Sequence, residues 1–269
     1  MRAVLYTLIS ISAATMHTVH GGVISLTQAS PGYTQNFNTL ASTNPITPPF
    51  NTVVPDNWFF SEAGTNANST YLAGTGSGAT GDTYSFGATG SSDRAFGELT
   101  TGTLNSTFGA RFSNGGTTAI ESVAIGYDGE QWRLGSTGRT DRLDFQYSLN
   151  ANSLNTGSWF DFNGLDFLSP ETSGTVGLRN GNLSPNSTNL NGTLTDLSIG
   201  NNQTLWIRWL GFNATGPDDG LAIDNFTLAA NFAPLPVTVP EPSSFVLLLT
   251  GLSTTLLCRV RLRKCSQNE

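Results

Sequence analysis

Between Tyr33 and Ala230 the chain is a succession of short segments of alternating polarity set apart by Gly, Asn, Asp and Pro, and no stretch from 22 to 235 keeps a helical period. In NSTFGARFSN (105–114), Phe108, Ala110 and Phe112 fall on one side. In ESVAIGYDG (121–129), Val123, Ile125 and Tyr127 do, and in DRLDFQYSLN (141–150), Leu143, Phe145, Tyr147 and Leu149 do. Successive side chains of a strand point to opposite faces, so a period of two repeated this often predicts half-buried antiparallel strands. LWIRWLGF (205–212) is apolar on both faces apart from Arg208 and reads as a central strand, with Arg208 turned to an acid or an open surface. In LAIDNFTLAA (221–230) the apolar phase changes after Ile223. A β-bulge at Asp224–Asn225 would return Leu221, Ile223, Phe226 and Leu228 to one side. The expected fold class is all-β, a two-sheet antiparallel β-sandwich of roughly ten to twelve strands, jelly-roll or concanavalin-like. LAGTGSGATGDTYSFGATGSSD (72–93) and RNGNLSPNSTNLNGTLT (179–195) are rich enough in Gly, Ser, Thr and Asn to read as loops.

The span from Gly22 to Pro242 contains no His, Cys, Met or Lys; those residues sit at 1–20 and 258–265. Ser-His-Asp and Cys-His catalysis, Schiff-base chemistry and the usual His or thiolate metal sites are therefore excluded from it. Disulfides are excluded as well, so the fold must be held by its core. Carboxylate chemistry survives, either a paired-carboxylate polysaccharide hydrolase or an oxygen-ligated Ca²⁺. The same span holds seven Arg and eighteen Asp or Glu, a net charge of 7 − 18 = −11, which argues against nucleic-acid binding.

Both ends have their own character. MRAVLYTLISISAATMHTVHGGV is one cation, an apolar stretch and small residues, the pattern of a secretory signal peptide over 1–21. A domain is expected over 22–232 and a stiff spacer over 233–242, with prolines at 234, 236, 240 and 242. Residues 243–258 are sixteen uncharged residues, at the short limit for a membrane-spanning helix of about 20, and 259–269 form a basic cytoplasmic tail. Val239, Pro240, Glu241 and Pro242, then this hydrophobic stretch, then Arg259, Arg261, Arg263 and Lys264 occur in order at the C-terminus. The arrangement resembles the PEP-CTERM sorting signal of exported bacterial proteins.

The resemblance implies an exosortase-type processing enzyme as partner and cleavage near the Pro-Glu-Pro. It also implies transient insertion in the inner membrane, then a final place on the outer surface or in the extracellular matrix of a Gram-negative bacterium that makes biofilm exopolysaccharide. A plain C-terminal anchor is the other reading of the tail. The segments FNTL (37–40), SSDRAFGEL (91–99), YDGEQWRLGS (127–136), LDFQYSL (143–149), LWIRW (205–209) and PDDGLAIDNFTL (217–228) resemble a jelly-roll-like module that recurs in PEP-CTERM proteins and beside secreted nuclease domains.

Two motifs are candidate ligand sites. GEQWR (129–133) could form a sugar-binding corner, with Trp132 stacking on a pyranose face and Glu130 and Arg133 bonding its hydroxyls; alternatively Trp132 is core and Glu130 and Arg133 pair across a turn. GPDDGLAIDN (216–225) gathers Asp218, Asp219 and Asp224, hard oxygen donors that could hold a structural Ca²⁺, or serve a solvated turn and a bulge. For a hydrolase the acids would come from Glu62, Glu98, Glu121, Glu130 and Glu171, none of which lies in a catalytic motif. Eight N-x-S/T sequons reflect an Asn- and Thr-rich composition. The expectation is a non-catalytic structural or exopolysaccharide-interacting protein.

Overall fold

The computed structural model describes residues 23–44 and 54–237. The signal segment, the PEP motif at 239–242, the hydrophobic stretch and the basic tail lie outside the described residues. No helix among the described residues is long and apolar enough to cross a membrane. A single turn of 3-10 helix covers Asn163–Leu165.

Two sheets make up the described part. Sheet one runs β1 (Ile24–Leu26), β7 (Asn105–Asn114), β14 (Thr204–Gly211), β9 (Arg142–Ser148), β10 (Phe160–Asp161), while β3 (Trp58–Ala63) also pairs with β7 and β11 (Phe167–Leu168) with β9. Sheet two runs β12 (Gly177–Leu178), β8 (Ile120–Leu134), β15 (Gly220–Phe232), β6 (Ala95–Leu99), β5 (Asp82–Phe86), β4 (Leu72–Gly74). Here β13 (Ser187–Leu194) also pairs with β8, and β2 (Gly32–Gln35) with β15. Fifteen strands thus replace the expected ten to twelve. The pairing is antiparallel except for β1 with β7 and β4 with β5, which are parallel.

The strands added to the expectation fall mostly in the two segments read as loops. β4 and β5 lie within 72–93 and β13 within 179–195. Their Gly, Ser, Thr and Asn disfavour strands in isolation, but tertiary context overrides propensity. β13 pairs with β8 over eight consecutive positions, from Ser187 opposite Glu130 to Leu194 opposite Val123. β5 is buried along its whole length between sheet neighbours and covering loops.

β14 is central, between β7 and β9, and its two faces are both buried for different reasons. Leu205, Ile207 and Trp209 point inward to the core, while Trp206 packs outward against Ala151, Leu154, Phe59 and Trp159. Arg208 is half-buried on the outer face, where Asp161 is the acid that acts on it. It bonds Gln146 and lies 3.9 Å over the ring of Trp159.

The bulge in β15 occurs as read. Asp224 is opposite Asp128 but Thr227 is opposite Gly126, one residue too many on β15, and Asn225 takes up the difference at φ 48°. Asn tolerates the left-handed region better than other non-glycine residues. Leu221, Ile223, Phe226 and Leu228 are all buried as a result.

The two sheets meet through aromatic rings. Trp209 of sheet one lies 5.3 Å from Tyr127 and 6.0 Å from Phe226 of sheet two, and 5.8 Å from Phe108 and 6.1 Å from Trp58 of its own sheet. Each buried side chain of this size stabilises by roughly 1.5–3 kcal/mol over its exposed state, which is how a chain without disulfides in this span is held. β15 ends at Phe232, and the compact unit that holds the two sheets ends at Ala233.

Candidate functional site

The GEQWR motif lies in β8. Glu130 and Trp132 are two residues apart in a strand and share its outer face, and Trp132 Nε1 donates to Glu130 Oε2 at 2.8 Å. Trp132 is 1 % exposed, stacked on Phe86 at 6.1 Å, which is stacked in turn on Tyr84 at 4.6 Å. Loops close over it: a Cβ on Gly181 would lie 2.5 Å from Trp132 Nε1, and one on Gly76, at φ +84°, would lie 1.8 Å from Trp132 O. Only glycine permits both approaches. The indole face is therefore inside a cluster and not offered to a sugar. Arg133 does not pair with Glu130; its Nη1 donates to the carbonyls of Gly76 and Ser77. The sugar-binding corner of Glu130, Trp132 and Arg133 is corrected to a packing element.

The Asp218, Asp219 and Asp224 trio is split between the two faces of sheet two. Asp218 and Asp219 lie with Asp141 around Arg139, whose guanidinium binds both oxygens of Asp141 at 2.7 and 2.9 Å and Asp218 Oδ1 at 3.0 Å. Asp219 accepts from Gly135 N at 2.6 Å and Gln131 Nε2 at 2.8 Å, and its own N–H donates to Asp141 Oδ2. The cation that Asp218 and Asp141 bind is a guanidinium supplied by the chain. Three acids against one arginine leave an excess of negative charge, and burial raises Asp218 and Asp219 each to about 6. Asp218 Oδ2 is buried without a partner.

Asp224 sits at the bulge on the outer face, directly opposite Asp128 and beside Glu130. Its Oδ1 accepts from Asn225 N at 2.7 Å, and Asp128 accepts from Asn189 and Asn225. Burial raises Glu130 to about 8, with Asp224 adding to it, and burial raises Asp224 to about 7, with Asp93 and Asp128 adding to it. No group of three or more His, Cys, Asp or Glu is placed to hold a metal ion among the described residues.

The remaining glutamates do not converge. Glu98 points inward from β6, 3 % exposed, accepting from Thr100 Oγ1 at 2.5 Å, and burial raises it to about 8. Glu62 accepts from Thr83 N and Oγ1 and from Asn68 N. It lies near Asp82, which burial and Glu62 together raise to about 7. Glu121 is exposed on β8, and Glu171 N–H is bonded to Gln131.

Open surface suited to a ligand lies on the outer faces of both sheets. On sheet two, a trough of about 470 Å³ runs between β2 and β13 across β8 and β15. Gly32, Ala124, Gly126 and Ala229 line it as small side chains, and Thr34, Asn191, Thr193 and Thr227 supply hydroxyls and amides. It continues into a hollow of about 370 Å³ at Gln35, Asn36 and Asn225. On sheet one, a pocket of about 230 Å³ is walled by Phe59, Trp206 and Leu154. No carboxylate lines any of these three. Sequence reading passed over the trough because its residues are the polar half of each alternation, the half assigned to solvent. Trp206 was readable as facing away from Trp209, three residues along the same strand.

No family model and no curated protein matches the chain. Among solved structures it is similar to the family 11 carbohydrate-binding module from Clostridium thermocellum in complex with a mixed-linked tetrasaccharide, at 12 % identity and TM-score 0.35, over 66 % of this chain and 91 % of that one. It is also similar to the K2 cleaved adhesin domain of Lys-gingipain, at 13 % identity and TM-score 0.36, over 75 % and 99 %. A third is the enzymatically active domain of bacteriophage CBA120 tailspike protein 4, at 14 % identity and TM-score 0.34, over 65 % of this chain; the chain spans 19 % of that domain's length. Likeness at this level assigns the chain neither a ligand nor an activity.

Proposed function

We propose that the chain is an exported protein sorted by its PEP-CTERM tail to the outer surface or matrix, where its sandwich holds polysaccharide without cleaving it. The observation that carries the binding half is the trough on sheet two. Its lining offers hydroxyl and amide groups over a smooth floor and no ionised group, the chemistry that fits an uncharged polyhydroxylated chain. The acids that could serve a hydrolase lie away from it. Of these, Glu130 and Asp224 are neighbours with carboxyls raised toward neutrality, but Glu130 is held by Trp132 beneath the Gly181 loop, where a glycosidic bond has no access.

The export half is supported by the sequence of the two ends. Intact mass of the protein recovered from its native host should show a chain ending between Pro240 and Ser244; a product ending at Glu269 supports the plain anchor instead. For binding, affinity electrophoresis of the purified domain in neutral exopolysaccharide should show retardation. Ala229→Arg, which fills the floor of the trough from an exposed position, should abolish it with the melting temperature unchanged. Retardation that survives Ala229→Arg refutes the trough. Release of oligosaccharides that ceases in Glu130→Gln refutes the non-catalytic reading.

A further inference from the structure

Among the described residues β13, at eight residues, is the longest strand that pairs with one neighbour alone; every other such strand has six residues or fewer. Just before it, the Gln131 N–H donates to the Asn186 carbonyl at 2.9 Å. In an antiparallel pair, residues that exchange bonds with the neighbour alternate with residues whose N–H and C=O point away. Counting from Asn186, Thr188, Leu190, Gly192 and Leu194 bond β8, and Ser187, Asn189, Asn191 and Thr193 aim four N–H and four C=O groups away from the sheet. No group among the described residues bonds any of these eight.

Sheets protect an exposed edge with charge, proline, a bulge or a covering segment. The strand STNLNGTL carries neither charge nor proline, and its register with β8 runs through eight positions without a break. The 3-10 turn lies beneath the strand and not along its edge. A Cβ on Gly192 would meet Phe162 at 2.9 Å and Leu165 at 3.0 Å, on the face that Leu190 and Leu194 turn to the core. Asn189, Asn191 and Thr193 stand on the opposite face and are exposed.

We propose that β13 is a self-association edge, joined antiparallel to the β13 of a second copy so that sheet two continues from one molecule into the next. A twofold contact uses the same patch on both copies, and this strand is self-complementary. With Leu190 on the axis, Ser187 stands opposite Thr193 of the second copy and Asn189 opposite its Asn191. Four such pairs exchange two bonds each, so all eight free groups of both copies are used. A slip of two residues either way leaves two groups of each copy unpaired. On the outer face the amides of Asn189 and Asn191 meet, each with a donor and an acceptor to offer. In a span of net charge −11, this uncharged edge is where two copies can approach without opposing carboxylates to each other. β13 also walls the trough, so the pairing sets two troughs on one continuous face, and linked sites hold a repeating polymer more tightly than either alone. That last consequence rests on the trough's proposed role; the pairing itself does not.

The test is sedimentation velocity on the purified domain over a dilution series, with no polysaccharide present, so that a trough that binds nothing leaves the result untouched. The mass should double with rising concentration and stop there, because the twofold contact consumes both edges. Added salt should favour the dimer, since the joined edge is uncharged while the two copies repel. Asn191→Pro removes an N–H that points away from β8 and none that β8 uses, and should leave a monomer. Leu190→Cys checks the register separately. Residues facing each other in a non-hydrogen-bonded pair have Cα atoms about 4.5 Å apart, within reach of a disulfide. The span from Gly22 to Pro242 has no cysteine of its own, so mild oxidation should link Leu190→Cys into a covalent dimer and leave Thr193→Cys unlinked. A monomer at every concentration, which gives the edge to a strand of another chain or to solvent, overturns the proposal. So does a dimer undiminished in Asn191→Pro, or a Thr193→Cys protein that links as readily as Leu190→Cys.

Discussion

Replacing Glu98 by glutamine should make the domain more stable above pH 8 and change it little at pH 4.5. Glu98 points into the sandwich, and burial moves its carboxyl from 4.5 to about 8, against the opposing effect of the bonds from Thr100 Oγ1 and Ser106 N. An acid whose folded pKa is raised binds its proton more tightly in the folded state. Its contribution is therefore fully present below the unfolded value and is lost as pH rises to the folded value. The window runs from 4.5 to about 8, a span of 3.5 units at about 1.36 kcal/mol each, so the loss approaches about 5 kcal/mol at its upper end. Glutamine does not titrate, and its oxygen still accepts from Thr100. The difference between variant and wild type should therefore grow with pH, although Asp82, Glu130 and Asp224 give both proteins a downward slope over a similar range. Urea unfolding at pH 4.5, 6, 7.5 and 9 measures it. Parallel curves, with a constant difference between the two proteins, would refute the reasoning.

Two further substitutions separate packing from recognition. Trp132→Ala should lower stability by roughly 3–5 kcal/mol, the usual cost of emptying a large buried site, while binding of neutral polysaccharide is unchanged. Chemical denaturation and affinity electrophoresis on the same variant check both halves, and lost binding in a stable variant would restore the sugar-stacking role. Arg139→Met should cost roughly 3–5 kcal/mol at pH 8, because Asp141, Asp218 and Asp219 lose their cation while buried. The cost should shrink at pH 5, where Asp218 and Asp219, raised to about 6, take up protons. An equal loss at both pH values would count against Arg139 as the neutralising group.

The parts of the fold readable in the sequence were those in which burial alternates. Phe108, Ala110 and Phe112 on β7 and the shift of phase around Asp224 each leave a period-two record, and both are where the alternation puts them. β5 left no such record. Thr83 and Ser85 turn toward hydrogen-bond partners inside, Tyr84 and Phe86 toward the Trp132 cluster, and both faces are buried for unlike reasons. β13 was unreadable because an edge strand of Asn and Thr gets its order from backbone pairing with β8, which composition does not encode. The candidate acids divide in the structure for a related reason. Proximity in sequence placed Asp224 with Asp218 and Asp219, but the extended residues Gly220–Ile223 of β15 separate them, and 219 and 224 are drawn to different partners, Arg139's cluster and the outer face. Arg139 was the missing element, and its distance in sequence from Asp218 hid it.

How the carboxylates are spent bears on what the surface can do. Asp82, Glu98, Glu130, Asp141, Asp218, Asp219 and Asp224 are all buried, and most are pushed toward the neutral form or tied to a guanidinium. A hydrolase needs two carboxyl groups facing one scissile bond, whereas these are turned inward or roofed. The hollows on the outer faces are lined by hydroxyls, amides and aromatic rings and by no carboxylate. In the proposed binding role, such groups would hold a sugar chain by shape and hydrogen bonding. The composition that removed His, Cys and Lys from the span narrowed catalysis to carboxylates, and the fold then buries seven of these acids while Asp56, Glu121, Asp161 and Asp196 stay exposed.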